Sequence, residues 1–274
     1  MSVRGARVLI TGATRGMGRL FAHRAADEGA TALDLWGRDT TALDDVAADL
    51  VRPGLTVRTD VVDLSVPGQI DDAARLITDG AAPDVLVNNA GTISSNAYAW
   101  DLDPDDADRT FAVNTLAPIR LTTRLLPAMI DDARRTGRPK RILTVASAAG
   151  LVPNPRMAGY AASKAAIMHW SETLRLELAQ AGHDHVTVTT YNPSYVDTGM
   201  FAGAAAVRLS PLLTPERAVD IGWRAMLAGR AHVVAPAAVH LARAARALLP
   251  TRGFDALAGV LGVHRSMETF TGRG

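Results

Sequence analysis

The chain contains no cysteine, which excludes a disulfide framework, a thiolate metal site and a cysteine nucleophile, and fits a reducing compartment. Its seven histidines are scattered. His183 and His185 flank Asp184 in a polar patch between elements, the pattern of a solvated loop, so no metal site is expected. Long apolar runs are missing too: the longest near-apolar stretch, Ile142 to Val152, falls well short of the ~20 residues that span a bilayer, so no transmembrane segment is expected. From Met1 the chain passes through Arg4 and Arg7 straight into an apolar strand, with no apolar leader core and no cleavage site, which predicts no signal peptide and a cytoplasmic location. Excess charge of one sign is also lacking. A formal net charge of +1 gives no footprint for nucleic acid.

What is present is a chain of 274 residues, 48% hydrophobic and 21% charged, ample for a sizeable core. Strand-length apolar runs at 6–11, 31–36, 55–60, 84–88, 141–146, 185–191 and 232–234 alternate with helical patterns at 17–28, 40–51, 66–79, 104–135, 157–181 and 214–228. That alternation predicts an α/β fold, a doubly wound, seven-stranded parallel sheet of the Rossmann type with helices on both faces. With no linker and no repeat, residues 1–274 read as a single domain, a core at 6–235 followed by a helical C-terminal extension at 236–274. Ligands of open parallel sheets bind beyond the carboxyl ends of the strands, so the residues just after each strand are the ones to inspect.

After the first strand comes Thr11-Gly12-Ala13-Thr14-Arg15-Gly16-Met17-Gly18. Glycines let a backbone approach an anion, and the helix that follows offers unsatisfied N–H groups and a positive dipole end, which suits a pyrophosphate. A glycine-rich turn alone also punctuates ordinary strand-to-helix loops. Here the spacing is T-G-x-x-x-G-x-G at the start of the chain, and in this it resembles the short-chain dehydrogenase/reductase family. The resemblance covers about residues 6–235 and implies a nicotinamide cofactor. NAD and NADP are told apart after the second strand, where a carboxylate suits a free ribose hydroxyl and repels a 2′-phosphate. Gly37 stands where NAD-type members carry the acid, Arg38 follows it, and Arg15 is a further cation, so NADP(H) is the expected cofactor, with NAD(H) possible. Asp34 lies inside the strand and is not assigned to the ribose. The resemblance places Asp60 and Val61 at the adenine edge, and Asn88, Ala90 and Gly91 of the Asn88-Asn89-Ala90-Gly91 run beneath the adenine ribose.

Tyr160 and Lys164 stand one helical turn apart and leave the same face. A neighbouring ammonium and the positive nicotinamide of the oxidised cofactor favour the phenolate, so a lowered Tyr160 pKa is expected, and with it a proton donor in reduction and acceptor in oxidation. Ser147 follows the fifth strand thirteen residues before Tyr160, the spacing of the family's catalytic serine, whose hydroxyl donates to the substrate oxygen. Asn114 matches the family's fourth catalytic member, which bends the long helix and holds a water linking Lys164 to solvent; the plainer reading is a buried amide bonded to backbone. In Asn192-Pro193-Ser194-Tyr195-Val196-Asp197-Thr198 the family usually has Pro-Gly, so Ser194 is a departure, while Pro193, Val196 and Thr198 stand where relatives hold the carboxamide.

A narrower likeness, carried by Leu35-Trp36, Val196 to Phe201, Leu248-Leu249-Pro250 and Ser266-Met267, is to the branch with retinol and 17β-hydroxysteroid dehydrogenases. It implies a lipophilic, bulky alcohol or carbonyl substrate. Leu151, Val152, Met157, Tyr195, Met200 and Phe201 are apolar candidates for the pocket rim, with Ser94, Ser95 and Asn96 as polar ones; the apolar members also suit simple mutual packing. Residues 237–249 form an arginine-bearing apolar helix that fits a peripheral membrane contact, a pocket cap or a subunit contact. A homodimer or homotetramer is expected from the family. Two other readings stay open, the epimerase or dehydratase chemistry of extended relatives and a non-catalytic NADP(H)-binding redox sensor.

Overall fold

The computed structural model describes residues 2–205, 207, 208 and 210–272. Seven strands, β1 (Arg7–Thr11), β2 (Ala32–Gly37), β3 (Thr56–Val61), β4 (Val85–Asn88), β5 (Lys140–Val145), β6 (Val186–Pro193) and β7 (His232–Ala235), form one sheet in the order β3-β2-β1-β4-β5-β6-β7. All pairings are parallel. The helices are α1 (Gly16–Asp27), α2 (Thr40–Asp49), α3 (Pro67–Thr78), α4 (Pro104–Phe111), α5 (Ala117–Thr136), α6 (Ala158–Gln180), α7 (Pro215–Leu227), α8 (Ala238–Leu248) and α9 (Thr251–Val260).

Period-two alternation divides the apolar strand residues between two cores. Val8, Ile10, Leu33, Leu35, Val85, Val87 and Leu143 pack with Phe21 of α1, Leu43 of α2 and Trp223 of α7. Leu9, Trp36, Leu86 and Ile142 enter the opposite layer with Ile70 of α3, Leu125 of α5 and Leu174 of α6. Because both faces are covered, the central strands read as continuous apolar runs. The order in which strands are added to the sheet reverses between β1 and β4, which leaves a crevice at the carboxyl ends of those strands.

Three features depart from the expected boundaries. The helix expected at 104–135 is broken by a π-helical turn, Ala112–Leu116, which separates α4 from α5 and contains Asn114. The helix expected at 237–249 is α8, and past Pro250 the helical extension holds a second helix, α9, whose bounds the sequence did not indicate. Strand β3 runs to Val61, one residue beyond the expected end. No helix among the described residues is long and apolar enough to cross a membrane.

The sheet carries buried ion pairs at its other end. Arg7 grips Asp34 with two bonds, Nε–Oδ2 at 2.6 Å and Nη2–Oδ1 at 3.0 Å. Lys140, fully buried, bonds the Asp84 carboxylate at 2.8 Å and also the Asp132 carboxylate. Such pairs fix register more than they add stability, since desolvation offsets most of the attraction.

Candidate active site

The crevice is a cleft of about 660 Å³ running from β2 past the β1 turn to Tyr160 and Thr198. The glycine-rich turn forms its floor. Gly12 and Gly16 have φ of +66° and +54°, a left-handed conformation that a side chain would strain. A methyl at Gly12 would stand 3.0 Å from the Ala90 backbone. No side chain caps the first turn of α1, which leaves its N–H groups for an anion. The cradle therefore fits a dinucleotide pyrophosphate. Gly18 serves the cradle from below: a methyl there would lie 2.0 Å from the Gly12 carbonyl, so the third glycine allows α1 to pack against the turn and does not itself line the cleft.

At the β2 end the cleft is lined by Thr14, Arg15, Gly37, Arg38 and Asp39. Asp39 caps α2, accepting from the Ala42 N–H at 3.1 Å. Asp34 is committed to Arg7 and lies outside the lining. A methyl at Gly37 would meet Thr14 Cγ2 at 2.6 Å, so the present Thr14 leaves no room for an acidic side chain at that position.

Two sequence expectations shift by one to three residues. Asp60 pairs opposite Trp36 in the sheet and accepts from its Nε1 at 3.1 Å, and Val61 is 55% exposed. Neither lines the cleft; Val62, Asp63 and Leu64 do. Burial works against the Asp63 carboxylate, but hydrogen bonds from the Ser65 hydroxyl and N–H, with Arg38 and Arg109 nearby, hold it below the ordinary range. Asn88 ends β4 with its amide donating to Thr122 Oγ1 at 2.9 Å, turned to the other face from the cleft-lining Asn89. Asn89 donates to the Thr11 and Gly12 carbonyls at 3.0 and 3.3 Å and so fastens β4 to the turn. Arg109, from α4, lines the cleft and carries no sequence signal, since it stands in an ordinary charged helix.

The remaining expected cofactor residues, Ala90, Gly91, Pro193, Val196 and Thr198, all line the cleft beside Tyr160 and Lys164. Ser147, Tyr160, Lys164 and Asn114 are buried together. Ser147 accepts from the Ala149 N–H at 3.1 Å, which leaves its hydroxyl hydrogen free to turn to the Tyr160 phenol, whose pKa Ser147 lowers. Lys164 donates to the Val145 carbonyl at 2.9 Å and stands 5.9 Å from the centre of the Tyr160 ring.

The protein's own groups do not lower the Tyr160 pKa. Burial pushes the phenol up to about 12, and the hydrogen bond from Ser147 offsets only part of that. Burial likewise pushes Lys164 down to about 8, so the cation that would favour phenolate is itself disfavoured.

Asn114 sits in the π turn, a form often found where a helix is bent for a purpose. Its amide accepts from the Thr92 N–H at 2.8 Å and donates to the Thr92 carbonyl at 2.9 Å and to Ser163 Oγ at 3.1 Å. One Oδ1 lone pair is left for a further donor. A methyl on Gly91 would be 3.4 Å from both that oxygen and Lys164 Nζ, so the two groups face one gap.

Beside the cleft is a second, largely apolar cavity of about 320 Å³, lined by Val152, Met157, Tyr195, Phe201, Val239 and Leu257 among others. Ser147, Ser194 and Phe201 line both spaces. Of the expected rim, Met200 lies in the cleft wall, Leu151 packs on Ile167 and Ala146, and Asn96 donates to the Met267 carbonyl at 2.9 Å. Ser94 accepts from Thr110 Oγ1 at 3.2 Å, and neither it nor Ser95 lines the cavity. The tail straps the loop after β6 over this space: Ala205 N–H bonds the Ser266 carbonyl at 2.7 Å, and Thr271 N–H the Ala202 carbonyl at 3.0 Å.

A doubly wound sheet with a phosphate cradle at its switch point and a buried serine, tyrosine and lysine beside it defines an NAD(P)-dependent oxidoreductase acting on CH–OH groups. The chain belongs to the short-chain dehydrogenase family, whose profile matches residues 6–208. It is 33% identical to estradiol 17-beta-dehydrogenase 11 of Rattus norvegicus over 257 residues, 93% of this chain and 84% of that one. A short chain dehydrogenase from Burkholderia cenocepacia J2315 in complex with NADP matches with a TM-score of 0.77 and 27% identity, covering 95% of this chain and 99% of the other. A short-chain dehydrogenase from Sphingobium yanoikuyae in complex with NADPH gives 0.75 and 28%, covering 93% of each.

Proposed function

We propose that this chain is a single-domain, cytoplasmic, NADP(H)-preferring enzyme that interconverts a lipophilic or bulky alcohol and its ketone or aldehyde, with Tyr160 as acid and base, working as a homodimer or homotetramer. The observation that carries the reading is the position of Ser147, which lines both the glycine-cradled cleft, beside Tyr160, and the apolar cavity. A carbonyl seated in the cavity would meet the Tyr160 and Ser147 hydroxyls where the two spaces join.

In this reading Gly12, Thr14, Gly16 and Met17 hold the pyrophosphate, Arg15 and Arg38 the 2′-phosphate, Asp63 and Leu64 the adenine edge, and Ala90 and Gly91 the adjoining ribose. Pro193, Val196 and Thr198 orient the nicotinamide, and Lys164 serves its ribose. When bound, the nicotinamide supplies or accepts the hydride. Ser147 donates to the substrate oxygen as charge builds there. Tyr160 is fully protonated near neutral pH, the state that reduction needs, and passes its proton to that oxygen. Lys164, an ammonium below about pH 8, stabilises the phenolate left behind, and Asn114 positions Lys164 across the gap at Gly91. The relatives bound to NADP and NADPH support the cofactor choice, as does the combination of Arg38 with the small residue at 37.

The test is oxidation of NADPH in the presence of a panel of steroid, retinoid, aryl and long-chain carbonyls. Turnover of apolar members is expected; a chain that binds NADPH and reduces none of them acts as a binder or sensor. For cofactor choice, Arg38→Ala is expected to weaken NADPH by about 1.5–3 kcal/mol, roughly ten- to a hundredfold, and to leave NADH nearly unchanged. Gly37→Asp alone will be hindered by Thr14, whereas Thr14→Ser with Gly37→Asp makes room and is expected to invert the preference. Specificity constants for both cofactors at one ionic strength check this, since exposed phosphate contacts are screened by salt. A wild type that already prefers NADH would overturn the assignment of Arg38.

A further inference from the structure

Past α9 the chain turns back on itself. Gly262 has φ of +83°, the left-handed conformation that commonly follows the last turn of a helix, and a 3₁₀ turn at Val263–Arg265 leads into the tail. That tail meets three loops around Tyr160. Asn96, after β4, donates to the Met267 carbonyl at 2.9 Å. Asn154, after β5, donates to Ser266 Oγ at 2.8 Å, and after β6 the Tyr195 hydroxyl bonds the same oxygen at 2.9 Å. Gly203 has φ of +78°, and a methyl there would collide with the Thr269 carbonyl, so the loop after β6 carries glycine where the tail presses closest.

Ser266 is fully buried, and proton accounting fixes what each group around it does. Its one hydrogen goes to the Val263 carbonyl at 2.9 Å, so Tyr195 donates to Ser266. Asn154 donates to both, reaching the Tyr195 oxygen at 2.9 Å. The three side chains therefore close a ring in which Ser266 Oγ spends its hydrogen and both lone pairs. The Tyr195 ring, held at its hydroxyl end, packs edge-on against Phe201 with centroids 5.1 Å apart, and Phe201 packs edge-on against Tyr160 at 5.8 Å. Met267 and Phe270 of the tail join the same cluster.

We propose that Ser266 is a positioning residue for the reaction at Tyr160: through Tyr195 and Phe201 it fixes the tyrosine ring, so that the acid is in place only while the tail is seated. The inference rests on the reading of Tyr160 as the acid. Ser266 lines neither the cleft nor the cavity, so its effect on turnover passes through its neighbours. The effect is large because a misplacement of about 1 Å, even from a change remote from the chemistry, can cost ~10²-fold. No residue of the glycine cradle belongs to the ring, so cofactor affinity is untouched.

The experiment is a double-mutant cycle on Ser266→Ala and Tyr195→Phe in the full chain, read as the single-turnover rate for a lipophilic carbonyl per NADPH-binding site. Each single variant is expected to be slowed roughly ten- to a hundredfold. The double variant is expected to be no slower than the slower single one, with NADPH affinity within about twofold of wild type throughout. Should Ser266→Ala not fold, Ser266→Cys takes its place in the cycle, since a thiol fills the site but bonds weakly. A merely structural serine would lower the denaturant midpoint or the number of NADPH-binding sites and leave the rate per site unchanged, which overturns the proposal. So do losses that multiply in the double variant, because the two side chains would then act apart. A wild type that binds NADPH and reduces no carbonyl removes the reading of Tyr160 and this inference with it, whereas an active wild type with unslowed variants removes the inference alone.

Discussion

Replacing Tyr160 by Phe is expected to lower turnover by roughly 10²–10⁴-fold while leaving the affinity for NADPH within a few-fold of wild type. The ring is an anchor as well as an acid. It packs edge-on against Phe201 with centroids 5.8 Å apart, in a cluster with Met157 and Met267, and Phe preserves those contacts. What is lost is the transferable proton and the bond with Ser147. Single-turnover rates with NADPH and a reducible carbonyl, set beside a fluorescence titration of cofactor binding, separate the two effects. Activity retained within about tenfold would remove Tyr160 from the chemistry.

Lys164→Met is expected to be inactive and, at neutral pH, more stable than wild type. The ammonium is buried, and its pKa falls from 10.5 in the unfolded chain to about 8 in the folded one. Between those values the unfolded chain binds more protons, so stability rises with pH; below about pH 8 the penalty is fully present. Its size is at most ~3 kcal/mol, less what the bond to the Val145 carbonyl returns. Methionine matches the stem and carries no charge. Denaturant midpoints at pH 7 and at about pH 9.5 should show the variant ahead at pH 7 and the gap narrowing at the higher pH. The comparison stops there because Tyr160 works in the opposite sense: its raised pKa withdraws stability as pH climbs from 10 towards 12. A variant less stable than wild type at pH 7 would show that the carbonyl bond outweighs the desolvation. An enzyme that holds a destabilising lysine has traded stability for function.

The parts of this molecule legible in the sequence are those with strict periods. Alternation at Val8, Leu9 and Ile10 gives a strand covered on both faces, and a spacing of four between Tyr160 and Lys164 gives a shared helix face. The parts missed are those where one residue of register decides the outcome. Asn88 and Asn89 are adjacent and chemically identical, yet a strand sends neighbours to opposite faces, and only the second meets the cleft. Asp60 and Asp63 are both aspartates near the end of β3. The strand runs on to Val61, which keeps Asp60 with Trp36 and sends the cleft lining to Asp63. The π turn at 112–116 hides because one extra residue per turn barely disturbs an apolar pattern.

The chain has only two lysines, Lys140 and Lys164, and both are buried, one between carboxylates and one beside the catalytic tyrosine. The cations on the surface are therefore guanidinium groups, which acylating reagents do not attack. An amine-directed cross-linker will find no lysine to join in the native fold, so its silence says nothing about subunit association. The same fact makes lysine acetylation a clock for opening. Lys140 becomes reactive only when β5 leaves α5, whereas Lys164, which lines the cleft, reports on access to that cleft. Peptide mapping after a short acetylation pulse in rising urea would thus time the release of β5 at Lys140, with Lys164 as a cleft-access control in the same sample.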